Sequence, residues 1–398
     1  MKLFNTRETI KAQDVYLVIG SILLSALLLM IPTGFENAGE NQNAYRTPAA
    51  ILEVDNSLVK VIGPVVEGVQ QVVIKVNRGP FAGEELETSN ILIGKKELDK
   101  FFVPGDTALV VLDLNSDGSS IVHANVIDHY RTDKSILLVT VFFVCLLLVA
   151  GWIGFKAIVS FVFTGIILLK LLLPSFLWGF NPIVVAFGIV TLLTAVIIFL
   201  VGGVSRKGLT AFIGAFAGIT ATMLLALGCV KWFHLDGANS PFLESLLYAG
   251  FGHIDLPSIF IAGIFVASSG AVMDLAMDIA ASMHEVKENH PEIIRRDLVI
   301  SGLTVGRHAV GTMTTTLLLA YSGGYTGMLM TFLARGVPFE NVLNMVYVSS
   351  ELVHTFVGSF GLVLVAPLTA IAGGLILSGS PKSIPVPMEA NLGLEEIS

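Results

Sequence analysis

Two aspartates lie one helical turn apart inside a long apolar segment of the chain. In the run SSGAVMDLAMDIAASMHEV, Asp274 and Asp278 are four residues apart, and Glu285 continues the same helical face. The next apolar segment carries Arg307 and His308. Ionisable groups inside membrane-spanning segments usually face the interior of a helix bundle and pair with one another. We therefore expect an Asp274–Arg307 ion pair between two antiparallel neighbouring helices.

Two interpretations of these residues remain open. In the structural one, the Asp274–Arg307 pair fixes the register of two helices, while Asp278 and Glu285 reach the headgroups at the membrane surface. In the functional one, the two carboxylates line a polar path for an ion or a proton-coupled solute. The next segment contributes a basic side chain and a row of hydroxyls to that candidate path: His308, Thr312, Thr314, Thr315 and Thr316.

A second polar cluster follows Pro338. Glu351 and His354 are three residues apart, so they share one face of a helix. The stretch Pro338–Asn341 is typical of a helix that begins at the membrane surface. An interfacial amphipathic helix is the simpler interpretation, and a second functional site is the alternative.

No catalytic or cofactor motif accompanies these residues. The chain has no Walker A motif, no GxSxG, no HExxH and no glycine-rich dinucleotide turn after a strand. Cys145 and Cys229 lack the spacing of a metal site, and His284 and His290 are scattered among glutamates. A formal net charge of −8 provides no basic surface for nucleic acid. We expect no enzyme activity, cofactor, bound metal or nucleic-acid partner.

Composition places most of the chain in a lipid bilayer. Apolar residues make up 54% of the sequence and charged residues 14%, whereas roughly a quarter of a soluble domain is charged. Eight runs approach or exceed the length of ~17–20 residues that crosses a bilayer. They are Val15–Ile31, Ile136–Ile153, Ala157–Leu173, Ile183–Val201, Leu209–Val230, Ile259–Ala281, Leu298–Leu319 and Thr355–Leu377.

The apolar run Tyr325–Ala334 is too short to cross the membrane as a straight helix. It is a tilted half-span, a re-entrant piece or the start of a longer helix, so we predict eight or nine spans. The side on which the C-terminus lies depends on that count. Two glycine pairs four residues apart predict close helix packing: Gly214 with Gly218, and Gly302 with Gly306.

A polar region interrupts the apolar segments after the first span. Short alternating apolar runs between Pro32 and Lys134 are separated by turn signals at Asn77–Pro80, Pro104–Asp106 and Asn115–Ser119. About five strands are predicted, enough for a small closed barrel of the OB type. We expect four regions: a cytoplasmic N-terminus and anchor at 1–31, a β domain at 32–134, a helical membrane domain at 135–380 and a polar tail at 381–398.

The positions of lysine and arginine predict the orientation, because these residues are retained on the cytoplasmic side. A cytoplasmic N-terminus places Lys156, Arg206 and the loop from Lys287 to Arg296 inside, and Arg335 as well if the short run before it crosses. The β domain then faces outward. The first span is long for a signal peptide and no clear cleavage site follows it, so we expect a retained anchor.

Several segments resemble the YibE/F-like family of bacterial multi-transmembrane proteins, over essentially the whole chain. They are GGVSRKGLTAFIGAFAG, SSGAVMDLAMDIAASMHEV, SGLTVGRHAVGTMTTTLLLAYSGG and SSELVHTFVGSFGLVLVAPLTA. The resemblance implies a bacterial cytoplasmic-membrane protein with an extracytoplasmic β domain, and it implies no reaction.

The sequence thus predicts an all-α membrane bundle with a small inserted β domain. We expect a permease or an ion- or proton-coupled transporter that uses Asp274, Asp278 and Arg307. The alternative is a non-transporting membrane scaffold or sensor whose β domain binds a partner or ligand. The expected partners are the lipid bilayer, a small solute or ion, and a membrane partner subunit or a second copy of the chain.

Overall fold

The chain forms two compact units, each with its own apolar core. A computed structural model describes residues 12–35, 43–238 and 242–378. The first unit comprises Met1–Thr33 with Ala150–Ser398, and the second comprises Gly34–Val149. The predicted polar tail at 381–398 lies outside the described residues. Helices dominate the first unit, and the second contains all the strands of the described chain.

The second unit contains one antiparallel sheet of five strands. These are β1 (Ala44–Ile62), β2 (Val65–Val76), β3 (Glu85–Ile93), β4 (Thr107–Leu114) and β5 (Ile121–His129), in the order β3-β2-β1-β4-β5. The two edge strands approach each other, and the Thr88 hydroxyl on β3 donates a hydrogen bond of 2.6 Å to the Ala124 carbonyl on β5. The sheet is therefore a nearly closed barrel, which confirms the predicted small β domain.

A long first strand allows this barrel to close. One half of β1 pairs with β4 and the other with β2, and register shifts interrupt the second pairing after Ile51 and Asp55. Such bulges bend a strand and increase its twist. Gln70 is fully buried inside the barrel. Its amide accepts a hydrogen bond from Phe102 N at 3.0 Å and donates one to Phe102 O at 3.1 Å, which anchors the β3–β4 connection to the core.

The helices of the described chain include six that are long and apolar enough to cross a membrane, or seven if one bent pair counts as a single span. The helices are α1 (Ala12–Met30), α2 (Thr132–Ile167), α3 (Leu173–Leu177), α4 (Pro182–Gly202), α5 (Arg206–Trp232), α6 (Leu243–Tyr248), α7 (Leu256–Asn289), α8 (Arg295–Gly324), α9 (Thr326–Ala334), α10 (Phe339–Asn344) and α11 (Val346–Ile376). A π-helical turn, Leu168–Leu172, joins α2 to α3. A membrane-embedded helical protein, as predicted, is thereby supported.

The predicted spans at 136–153 and 157–173 lie in a stretch of 46 mostly helical residues, Thr132–Leu177. At ~1.5 Å per residue its helical turns add up to about 69 Å of contour, roughly twice the ~30 Å hydrocarbon thickness of a bilayer. Its backbone breaks at Gly151, where φ is 53° and ψ is −124°. This left-handed conformation is open to glycine at little cost. The break separates the two predicted runs, and the number of spans remains a prediction.

Glycine and threonine set the tightest helix contact, between α5 and α11. Gly214 lies against Thr369, and Gly361 lies against Thr222 on the opposite helix. One residue of each pair has no side chain, so the two backbones approach closely. On α8, Gly302 and Gly306 pack in the same way against α7 and α11.

The contacts also show which helix ends lie together. Gly374, near the end of α11, packs against Arg295 and Val299 at the start of α8. At the other end of α8, the ring of Tyr321 packs at a tilt against His354 in the first part of α11. The intervening α9 is bent by 65° from α8. Residues 325–345 therefore connect two helix ends on one side of the bundle, and the short run Tyr325–Ala334 does not return to the end where α8 begins.

Candidate functional site

The two aspartates of α7 lie on its exposed side. Asp274 and Asp278 stack on one face, as their spacing predicts. Met277 lies next to Gly202 at the end of α4, and Ile279 lies against Gly306 of α8. The acidic face of α7 therefore lies between the sides that contact these two helices.

Arg307 does not pair with Asp274. None of the described residues forms an ion pair with Arg307, Asp274 or Asp278. The reason is the rotation of α8 about its own axis. Arg307 shares a helical side with Thr314 and Leu318, which face α11. The predicted pair does not form, because Arg307 lies on the exposed side of α8, about 100° around the helix from Gly306, which packs against α7 and α11.

The second cluster predicted from the sequence lies where α11 contacts α8. His354 Nδ1 is 4.0 Å from Glu351 Oε2 on the same helix, and the two side chains are 25% and 39% exposed. The imidazole ring packs on the ring of Tyr321 of α8, with 4.8 Å between centroids. The backbone of Gly263 on α7 lies beside the same imidazole. Glu351, His354 and Tyr321 therefore form a row of three neighbouring titratable side chains, which relays protons inside membrane bundles where hydrogen bonds or water link such groups.

Three buried polar atoms in this row or next to it have no hydrogen-bond partner among the described residues. They are Tyr321 Oη, His354 Nε2 and Thr355 Oγ1. Thr355 is only 1% exposed. A buried polar group without a partner costs about 1–3 kcal/mol. That cost is relieved if water or a polar solute enters at this position.

Two cavities lie along α11 near the titratable row. A cavity of about 540 Å³ contacts Glu351 and is also lined by Tyr325, Tyr347 and Glu244. A groove of about 330 Å³ lies between α8 and α11. Its polar lining consists of four hydroxyls: Thr314, Thr315, Thr355 and Ser359. An apolar rim that includes Phe356 and Phe360 surrounds them.

The α8–α11 contact is tight at the opposite end. Gly302 lies against Met283 and Ala370, and Gly373 lies against Met283 and Thr210. Any side chain larger than a hydrogen atom at these two glycines would collide with neighbouring atoms. The helix pair is thus closed near Gly302 and separated by a groove near Thr314.

The other predicted site residues take different positions. Thr315 lines the groove, whereas Thr312 does not contribute to its lining. His308 and Glu285 are exposed on α8 and α7. Tyr321 was not predicted as a site residue, because nothing in its sequence neighbourhood marks it; its role depends on contact with His354, far away in the sequence. No group of three or more metal-ligating side chains is found within residues 12–35, 43–238 and 242–378.

A polar pocket of about 510 Å³ opens on the β unit. Its lining includes the cationic or titratable side chains of Arg78, His129, Arg131 and Lys134. Arg78 is held by Asp133, with 2.8 Å between Nη2 and Oδ2, and this hydrogen bond raises the pKa of the guanidinium. His129 Nδ1 is 3.9 Å from Asp106 Oδ2. The pocket combines basic groups with two carboxylates.

Comparison with known proteins gives one result. Residues 138–379 match the YibE/F-like protein family, and this stretch contains α4 to α11. The five strands lie outside it, although the sequence resemblance was expected to begin in the β domain. No protein of curated function and no solved structure matches the chain. Because the matched stretch covers more than half of its length, the chain belongs to the YibE/F-like protein family.

Proposed function

We propose that this protein is a proton-coupled transporter of a small solute or ion, and that the proton moves along Glu351, His354 and Tyr321. The row of these three side chains near two cavities carries the proposal. Titratable groups inside membrane bundles commonly form such relays. The sequence suggested Asp274, Asp278 and Arg307 for this role, and the exposed positions of these residues outside the cavities favour the second cluster instead.

The shape of the α8–α11 pair supports the same function. From Glu351 to Val363 the cavities follow α11 for about 18 Å, at ~1.5 Å per residue, which is more than half of the ~30 Å hydrocarbon core. Beyond this point, small residues close the contact. We propose that α8 and α11 alternate between this arrangement and one that opens at the end near Gly302.

The proposed orientation follows from the basic residues. Lys156 lies beside Val201 at the end of α4, and Arg295 lies beside Gly374 near the end of α11. We propose that these helix ends lie on the cytoplasmic side. The β unit would then be extracytoplasmic, with the OB-type barrel closure expected from its strand order. We propose that the protein resides in a bacterial cytoplasmic membrane.

The test combines two measurements. Cells that express the wild type are compared with cells that express Glu351→Gln with His354→Phe, by untargeted profiling of metabolites and metals. Purified protein is also reconstituted into vesicles that contain a pH-sensitive dye, under an imposed potassium diffusion potential. We expect the rate of proton uptake by the double variant to be at least tenfold lower than that of the wild type. Any change in metabolite or metal content that expression of the wild type causes should be absent from cells that express the double variant.

A matched control uses another histidine–glutamate pair. His284 Nε2 lies 3.3 Å from Glu288 Oε1 on the exposed end of α7. The variant His284→Phe with Glu288→Gln makes the same chemical change outside the cavities and should retain wild-type transport. Equal behaviour of the wild type and the Glu351/His354 variant in both measurements would contradict the proposal.

The pocket of the β unit favours a second candidate function. Its basic residues would suit a small anionic ligand, so the protein would act as a membrane sensor. The variant Arg131→Ala with Lys134→Ala should then abolish ligand-induced thermal stabilisation while leaving proton uptake unchanged. A screen of carboxylate and phosphate compounds against the wild type would measure that stabilisation.

A further inference from the structure

The exposed side of α7 lacks the residues that normally face lipid. Among the described residues between Tyr248 and Ile294, no large hydrophobic side chain is exposed. The exposed positions of α7 instead carry Gly270, Asp274, Asp278 and Ala281, which we name the acidic face. By contrast, α4 exposes 69% of Val184, and α5 exposes 60% of Leu224.

The exposed side of α8 is equally polar and carries the opposite charge. Its exposed positions include Thr304, Arg307, His308 and Gly311, which we name the basic face. No large hydrophobic side chain is exposed between Ile300 and Leu318. Both faces belong to helices of the bundle, where glycine, threonine and charge are typical of helix–helix contacts.

The two faces lie at the same level, but no ion pair joins them among the described residues. Gly306 packs against Ile279, which places Arg307 at the level of Asp278. Arg307 lies on the exposed side of α8, and the two aspartates lie on the exposed side of α7. A rotation axis along the membrane normal preserves these levels, so the basic face of one chain can meet the acidic face of another.

We infer that a second copy of this chain covers these faces, with Arg307 and His308 of one copy against Asp274 and Asp278 of the other. Opposite charge at equal depth selects a second copy over an unrelated subunit. The contact also explains why neither face is apolar. Ion pairing between copies would compensate charges that one copy leaves unpaired.

Cysteine cross-linking tests the contact directly. Ala281 and Thr304 lie at one level on the two faces, and each is replaced by cysteine in a chain in which Cys145 and Cys229 are serine. Differently tagged Ala281→Cys and Thr304→Cys chains are co-expressed in membranes and oxidised. We expect a mixed disulfide dimer. Leu209→Cys, at a similar level on the exposed side of α5, is the matched control and should not cross-link to Thr304→Cys.

Charge reversal supplies an independent readout. Arg307→Glu and Asp278→Arg should each reduce the oligomer fraction in nanodiscs at least tenfold, and a chain with both changes should regain it. If the wild type is monomeric and no mixed disulfide forms, the inference is overturned. Lipid headgroups or another subunit would then cover the two faces. An oligomer that both single reversals leave intact would overturn the inference too. If a reversal prevents folding, the cross-link in the otherwise native chain decides.

Discussion

Lys156 Nζ lies 3.3 Å from the Asp14 carboxylate, and the two side chains are 6% and 15% exposed. The same ammonium donates a hydrogen bond of 3.4 Å to the Val201 carbonyl near the end of α4. This arrangement connects the first helix to two others through one buried charge. A helix that supplies the counter-ion of a buried lysine packs as part of the helical unit, and the retained anchor stays a prediction.

The first prediction concerns this pair. Asp14→Asn leaves the Lys156 ammonium buried without a counter-ion, and breaking a buried pair in this way costs about 3–5 kcal/mol. Lys156→Met leaves the carboxylate alone but adds an apolar side chain of similar length. We expect each single variant to lower the thermal midpoint in detergent and the amount of folded protein in membranes.

The double variant distinguishes pairing from simple damage. Asp14→Asn with Lys156→Met removes both charges, so most of the lost stability should return. Fluorescence-detected gel filtration after heating measures all four proteins. If the losses of the single variants add in the double variant, the two residues do not act as a pair.

The second prediction concerns the close contact of α5 with α11. A methyl group at Gly214 would collide with Thr369, whereas nothing lies within 4 Å of the corresponding position at Gly228 on the same helix. Overpacking a close contact costs about 1–3 kcal/mol. Alanine in place of an exposed helical glycine stabilises a helix by up to about 1 kcal/mol. Gly214→Ala should lower the thermal midpoint, and Gly228→Ala should keep or raise it.

A reversed order of these two midpoints would show that Gly214 is not a close-contact position. Thr369→Ala with Gly214→Ala provides a further check, because the threonine hydroxyl is the atom nearest the added methyl, and its removal gives that methyl more room. That double variant should recover part of the lost stability.

Local chemistry made some parts of the fold predictable. The turn at Asn115–Ser119 forms where the sequence predicts it, because the Asn115 and Asp117 side chains accept hydrogen bonds from the Ser119 N–H. The apolar helices were predictable because the membrane requires long apolar runs. Both features depend on neighbours in the sequence.

The candidate site depends on rotations that no local pattern contains. Arg307 follows Gly306 by one residue, or about 100° around the helix, and Gly306 is the residue that faces Ile279. The similar membrane depth of the two residues predicted that Arg307 pairs with Asp274. The position of Arg307 around the α8 axis does not bring the two side chains together. Tyr321 and His354 meet only because α8 and α11 run side by side in opposite directions. The sequence marks the histidine and gives no sign of its aromatic partner.

The third prediction concerns the acid stability of the β unit. Ser119 lowers the pKa of Asp117 through its hydroxyl and its N–H. Burial opposes a similar shift at Asp128, but the Arg131 side chain and the His129 N–H together lower its pKa. A carboxyl whose pKa is lower in the folded state stabilises that state above its unfolded pKa. The contribution is lost as pH falls through the folded pKa.

We therefore expect the β unit, expressed from Asn43 to Arg131, to be soluble, to give a β-rich circular dichroism spectrum and to unfold at lower urea concentration as pH falls below about 4. Asp128→Asn removes one of the shifted groups, so it should weaken this pH dependence. A helical or aggregated product would argue against an independently folded barrel. A midpoint that rises on acidification would contradict the sign of the carboxyl shifts.

The last prediction concerns the sides of the membrane. In intact cells, an impermeant thiol reagent is applied to single-cysteine chains that lack Cys145 and Cys229. Ser119→Cys in the β unit should react, and Lys287→Cys in the α7–α8 loop should not, because basic loops are retained inside. The same reagent should modify both after the membrane is permeabilised.

Arg335 makes this test specific to the structure. If residues 325–334 crossed the membrane, Arg335 would join the other basic loops inside. The contact of Tyr321 with His354 instead holds the end of α8 beside the first part of α11, and Gly374 packs next to Arg295 at the opposite end. Arg335→Cys should therefore react from outside together with Ser119→Cys, and Ser378→Cys should be protected like Lys287→Cys. Protection of Arg335→Cys in intact cells would mean that α9 crosses the membrane, and the proposal that the side of the bundle marked by Arg295 and Gly374 is the cytoplasmic one would have to be revised.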